Sequence, residues 1–83
     1  MNYPRIIDIK PLENMKLLVK FETGVYKLMD IKPYLDIFEP FKELIDKNIF
    51  DSVTIDKLGR GIIWNERVDL DAFDVWQNGQ DYN

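Results

Sequence analysis

The sequence predicts a small α+β domain: an antiparallel sheet of two β-hairpins plus an N-terminal strand, with a short Pro-rich helical connection and a C-terminal helix. Three observations predict it. Apolar and polar residues alternate over residues 15–30 and again over 52–64, the period of half-buried strands, and Gly24 and Gly59 mark a turn inside each run. Between the two runs, Pro33 and Pro40 punctuate a segment whose apolar spacing lengthens to that of a helix. Eighty-three residues are too few for two cores, so residues 1–83 are read as one domain.

The chain starts with a loose end, after which Ile6, Ile7, Asp8 and Ile9 make a short strand that Pro11 stops. Proline donates nothing to a ladder, so this strand lies at an edge or finishes before Pro11. For the first hairpin, a two-residue loop at Thr23 and Gly24 sets Phe21 opposite Tyr26, Val19 opposite Leu28 and Leu17 opposite Asp30. Its buried face is then Leu17, Val19, Phe21, Tyr26 and Leu28. On the other face Lys20 stands opposite Lys27, a mild like-charge conflict.

Pro33 and Pro40 both suit the first turn of a helix, where a missing amide hydrogen costs nothing. Residues 31–37 are expected to form one turn and a bend, and residues 40–46 a short helix with Phe41, Leu44 and Ile45 inward and Asn48 as its C-terminal cap. The second hairpin, with Leu58 and Gly59 in its loop, pairs Ile55 with Ile62 and Val53 with Trp64. Both hairpins are expected to share one sheet, because an isolated hairpin is marginal in water. Residues 65–68 leave that sheet. A last helix starts near Asp71, which caps its first amides, with Leu70 and Val75 as a hydrophobic staple and Phe73 and Trp76 inward. Gly79 ends it, and residues 80–83 fray.

Composition excludes more than it assigns. Histidine and cysteine are both absent, which removes imidazole and thiolate catalysis, the common zinc sites and disulfide support. The net charge is −4 and no segment carries a dense Lys/Arg cluster, so direct nucleic-acid contact is not expected. No apolar run approaches the roughly 18 residues that span a bilayer, and the N-terminus lacks the apolar region of a signal peptide. A cytoplasmic location without membrane contact is the default.

Three groups are candidates for chemistry. Ser52 is the only serine and has no nucleophile-elbow setting, so local hydrogen bonding at a strand edge is its expected role. Glu66, Asp69, Asp71 and Asp74 form the one acidic run to weigh as a hard-cation site, but Asp-Leu-Asp-Ala-Phe-Asp lacks the glycine of a calcium loop and Phe73 intrudes. Helix capping and solvation are the simpler roles. The glycines make no phosphate-binding loop, and Gly59-Arg60-Gly61 belongs to a hairpin turn. No catalytic residue, cofactor or metal is assigned. The aromatics Tyr34, Trp64 and Trp76 fit core and interface roles, and exposure of Tyr34 or Trp76 would point to a protein partner.

The order of Ile6 to Pro11, Leu17-Leu18-Val19-Lys20-Phe21 with Gly24, Asp30-Ile31-Lys32-Pro33-Tyr34-Leu35, then Phe50, Val53-Thr54-Ile55-Asp56 and Trp64 with Val68-Asp69-Leu70, resembles the bacterial domain of unknown function 2442 family. The resemblance runs over nearly the whole chain. Two places depart from it: Thr23-Gly24 stands for the usual Asp-Gly, and Asn65-Glu66-Arg67 replaces an Asn-Gly. The resemblance implies an α+β domain with an antiparallel sheet, found alone or joined to a helix-turn-helix domain. It also implies that some members are encoded beside a second small protein, in pairs resembling toxin–antitoxin units. It transfers no site residue.

Residues and resemblance together lead to the expectation of a non-enzymatic module that binds another small bacterial protein, as the antitoxin-like partner of a two-protein unit. The alternative is a ligand-binding or sensory domain with a pocket between sheet and helices, near Tyr34 and Trp64. An exposed edge at residues 6–9 would also allow a homodimer.

Overall fold

The computed structural model describes residues 3–82. Met1, Asn2 and Asn83, and with them parts of the expected loose start and frayed end, lie outside the described residues. The architecture is mixed α+β, built on two antiparallel sheets rather than one. The first contains β1 (Ile6–Leu12), β2 (Lys16–Phe21), β3 (Tyr26–Asp30) and β7 (Gln80–Asp81) in that order. The second contains β4 (Thr54–Ile55), β5 (Gly61–Asn65) and β6 (Val68–Asp71). Two 3-10 segments, Lys32–Asp36 and Glu39–Ile45, and the one-turn helix α1 (Lys47–Phe50) connect the sheets, and α2 (Ala72–Asn78) leads from β6 back to β7.

The β2–β3 register differs by one residue from the expected one: Leu17 faces Met29, Leu18 faces Leu28, Val19 faces Lys27 and Lys20 faces Tyr26. The cause lies in the turn. A two-residue hairpin loop needs positive φ at Thr23, which is costly for a β-branched residue. The chain instead forms a three-residue loop, with Gly24 N–H donating to the Phe21 carbonyl at 2.9 Å, Phe21 N–H to Val25 at 2.8 Å, and Gly24 alone at φ +91°. The shift turns Tyr26 and Leu28 to the other face and places Met29 in the core. It also removes the Lys20–Lys27 conflict, since the Lys20 ammonium now lies 5.5 Å from the centre of the Tyr26 ring.

Lys27 shares the core face with Met29, and its side chain is only 13% exposed. Its stem is covered while its ammonium reaches past the Trp76 ring, 4.9 Å away, to Asp81 at 2.6 Å. That pair, with the Tyr82 N–H to Tyr26 carbonyl bond of 3.0 Å, holds β7 against β3. Gln80 and Asp81 are thus a paired edge strand, not a frayed end.

Proline does not end β1, which runs on to Leu12 with Pro11 opposite Leu17. On an edge strand alternate amides point away from the sheet, so a proline there breaks no ladder bond. A bulge between Ile6 and Asp8 turns Ile7 outward, and the Ile6 N–H is taken by the Gly59 carbonyl at 2.8 Å. At Ile6, the first residue of this edge, the backbone amide is therefore paired with the chain's own β4–β5 loop. The β1–β2 connection is tight, with Asn14 and Met15 both at positive φ.

In the proline-punctuated connection the helices are 3-10, with three residues per turn. Side chains three apart then share a face, so Phe41 and Leu44 are buried while Ile45, expected inward, is 69% exposed. Asn48 is no C-cap: it sits inside α1, and its N–H donates to the Asp46 carboxylate at 2.9 Å.

The β4–β5 ribbon pairs Thr54 with Ile63 and Ile55 with Ile62. The Asp56 carboxylate accepts the Leu58 N–H at 3.0 Å and folds the loop. Residues 65–68 do not leave the sheet; a turn at Glu66 and Arg67 starts β6, whose Val68 and Leu70 alternate inward with Asp69 and Asp71 outward. Asp71 precedes α2 without a side-chain capping bond, and the helix buries Ala72 and Val75 while Phe73 is 48% exposed against Tyr3.

One hydrophobic cluster draws on both sheets, the 3-10 cover and α2, with Phe21, Leu17, Met29, Ile31 and Ile62 fully enclosed. No described side chain buries an unpartnered polar atom. The Trp64 indole N–H donates to the Phe50 carbonyl at 2.9 Å, pinning α1 to β5. Glu43 accepts from Asn65 at 3.1 Å and from Arg67, pinning the cover to the β5–β6 turn.

Candidate functional site

The candidate site is a cleft of about 600 Å³ where β3, the first 3-10 segment, β6, α2 and β7 meet. Its position follows from the chain path. Pro33 starts a 3-10 turn directly after β3, so the chain bends over the sheet and brings Tyr34, Ile37 and Phe38 beside Leu28. From the opposite side β6 contributes Leu70, and α2 contributes Asp74 and Asn78, four residues apart and so on one helix face. Gln80 of β7 completes the rim.

The walls are mostly apolar. Tyr34 stacks on Phe41 with ring centres 5.6 Å apart, and its hydroxyl accepts a long 3.5 Å bond from Asn78. Ile37 and Phe38 stand 64% and 50% exposed at the mouth. Side chains of that size in contact with water beside a concavity are the kind of surface that associates with something else.

Two carboxylates reach the cleft, and they are not equivalent. Burial pushes the Asp30 carboxyl up, but the Lys32 N–H at 3.0 Å and the Lys32 ammonium at 3.1 Å outweigh it, so Asp30 ends below the ordinary carboxylate value. The same ammonium also donates to the Asn14 carbonyl at 2.7 Å. Asp74 is half-buried and has no hydrogen-bond or ion-pair partner among the described residues. No basic residue among those described lines the cleft.

The sequence candidates are dispersed. Glu66 lies in the β5–β6 turn, Asp69 and Asp71 on the outer side of β6, and Asp74 on α2. Among the described residues no group of three or more acidic side chains is placed to hold a metal ion. The Ser52 hydroxyl donates to the Ile49 carbonyl at 2.6 Å, a local bond. Of the two aromatics expected near a pocket, Tyr34 lines it. Trp64 does not, because Phe41 stands between them, 5.6 Å from Tyr34 and 6.1 Å from Trp64.

Ile37 and Phe38 were not legible as site residues. Their one signal is an apolar pair set between Asp36 and Glu39, out of step with the residues that face the core. Among the described residues no helix is long and apolar enough to cross a membrane.

The chain matches no curated protein and no solved structure. It does match one family over residues 6–81, from the first residue of β1 to the last of β7. By that match the chain belongs to the family described as Protein of unknown function (DUF2442).

Proposed function

We propose that this chain is a non-enzymatic interaction module, the acidic, antitoxin-like half of a two-protein unit, and that its partner, another small bacterial protein, docks on the cleft between β3 and α2. The observation that carries this reading is Ile37 and Phe38 exposed at the mouth of an apolar concavity. Large apolar side chains at the centre of a patch supply most of the binding energy of protein interfaces. The residue inventory argues in the same direction, with no imidazole or thiol in the chain and its single serine hydroxyl engaged locally. A net charge of −4 favours a basic protein over nucleic acid as the partner.

Co-expression with the product of the adjoining gene, followed by size exclusion, tests the proposal. A single co-eluting species that Phe38→Ser splits supports it. Separate migration of the two wild-type proteins refutes it.

One observation favours a second reading. A cleft of about 600 Å³ falls in the range of small-molecule sites, roughly 300–1,000 Å³. A saturable thermal shift with a metabolite, abolished by a bulky substitution at Leu28, would select ligand sensing instead.

A further inference from the structure

We infer that the occupant of the β3–α2 cleft is a protein segment presenting a cationic side chain next to an apolar anchor, and that Asp74 receives the cation. This deepens the docking proposal and rests on it. Charge complementarity within a mostly apolar groove singles out this occupant. Of the cleft's two carboxylates, Asp30 is already served by Lys32 through its amide and its ammonium, whereas Asp74 has no partner among the described residues.

Position adds to the contrast. Asp74 stands in the first turn of α2, between the buried Ala72 and Val75, and is itself half-buried, so neighbouring apolar walls replace part of its water. A cation brought there interacts through a lower effective dielectric than on open surface, and its hydrogen bond is charge-assisted at both ends. The apolar half of the occupant is set by Leu28, Tyr34 and Phe38 across the groove. Asn78, one helical turn from Asp74, adds an amide that can orient the same group. A carboxylate-bearing segment would meet the unpaired Asp74 and no lining base, with Asp30 already compensated by Lys32, so the cleft selects against it.

The test uses the isotope-labelled full chain and three small probes of one shape: phenethylammonium, 2-phenylethanol and phenylacetate. Amide shifts of residues 28, 34, 38, 74 and 78 report occupancy. The ammonium probe is expected to bind about two- to fivefold more tightly than the alcohol, the scale of a partly exposed ion pair, and phenylacetate more weakly than either. Asp74→Asn removes the ammonium preference, while Asp69→Asn, an exposed acid on β6, leaves it.

Equal binding of ammonium and alcohol to the wild-type chain overturns the inference, and so does a preference that survives Asp74→Asn. The wild-type comparison decides the matter even where a variant folds poorly. A failed preference alongside a complex that Phe38→Ser still splits removes this inference and leaves docking standing. An intact preference without any protein complex removes docking and leaves the cation site.

Discussion

Gly59 is where the β4–β5 loop is hydrogen-bonded to β1 of the other sheet, and replacing it isolates the strength of that contact. Gly24 and Gly59 both have positive φ, at +91° and +70°. They differ in their surroundings. A Cβ at Gly24 meets nothing within 4 Å, whereas one at Gly59 falls 2.7 Å from the Ile6 carbonyl oxygen and 3.0 Å from the Arg5 Cβ. Gly24→Ala should therefore cost only the left-handed backbone penalty, about 1–2 kcal/mol. Gly59→Ala carries the same penalty and also forces the β4–β5 loop away from β1. That movement strains the Ile6 N–H to Gly59 carbonyl bond and adds about 1–2 kcal/mol for a lost hydrogen bond and disturbed packing. With about 4–8 °C per kcal/mol for a chain of this size, melting should fall by roughly 5–15 °C for Gly24→Ala and roughly 10–30 °C for Gly59→Ala. Asparagine tolerates positive φ but still carries a Cβ, so Gly24→Asn should recover most of its loss and Gly59→Asn should not. Thermal and urea unfolding of the four variants provide the readout. Equal losses at the two sites, or a Gly59→Asn variant as stable as Gly24→Asn, would refute the proposed junction.

Trp64→Phe keeps a large ring but leaves the buried Phe50 carbonyl without its donor, and should cost about 1–3 kcal/mol in urea unfolding. Asp30 has a native pKa below its ordinary value of 3.8, so its contribution is present above that value and lost as the pH falls through the lowered native one. Asp30→Asn should accordingly lower stability at neutrality by the contribution that the wild type has there, leave stability in strong acid nearly unchanged, and so flatten the acid limb of a plot of stability against pH. Asp81→Asn breaks an exposed ion pair and should change global stability by less than about 1 kcal/mol. The same change should speed hydrogen exchange at Tyr82, whose amide bond docks β7. Ile37→Ser alters a side chain that is 64% exposed and should leave unfolding within about 0.5 kcal/mol, whereas Phe38→Ser also loses the contact of its ring with the buried Phe41, 5.7 Å away, and should cost about 1–2 kcal/mol; both should weaken partner binding.

Local chemistry was legible where one residue decides it. Gly59 marks the β4–β5 loop, and the Ile55–Ile62 pairing follows from it, whereas the Asp56 carboxylate that folds the loop reads in the sequence as part of the strand. The β2–β3 loop also contains one glycine, but Thr23 next to it refuses positive φ. The turn therefore gains a residue, and every residue of β3 changes face. Lys27 shows the consequence: a lysine on the core face is read as surface until Trp76 and Asp81, about fifty positions later, explain it.

The strand β6 was missed because Val68-Asp69-Leu70-Asp71 is four residues long and its aspartates resemble a helix start. Whether two ribbons share a sheet or form two is decided by non-local packing, to which neither ribbon's pattern refers. The cleft was hidden for the same reason. It is assembled from five elements, and of its walls the residues themselves point to Tyr34 as pocket-lining and to Asp74 only as one of an acidic run.

Amide hydrogen exchange of this chain, alone and with the product of the adjoining gene, tests the docking face most directly. Added protection is predicted at residues 28–38 and 74–80, the two sides of the cleft. Protection concentrated instead on β1 and the β4–β5 loop, with the cleft amides unchanged, would contradict the account.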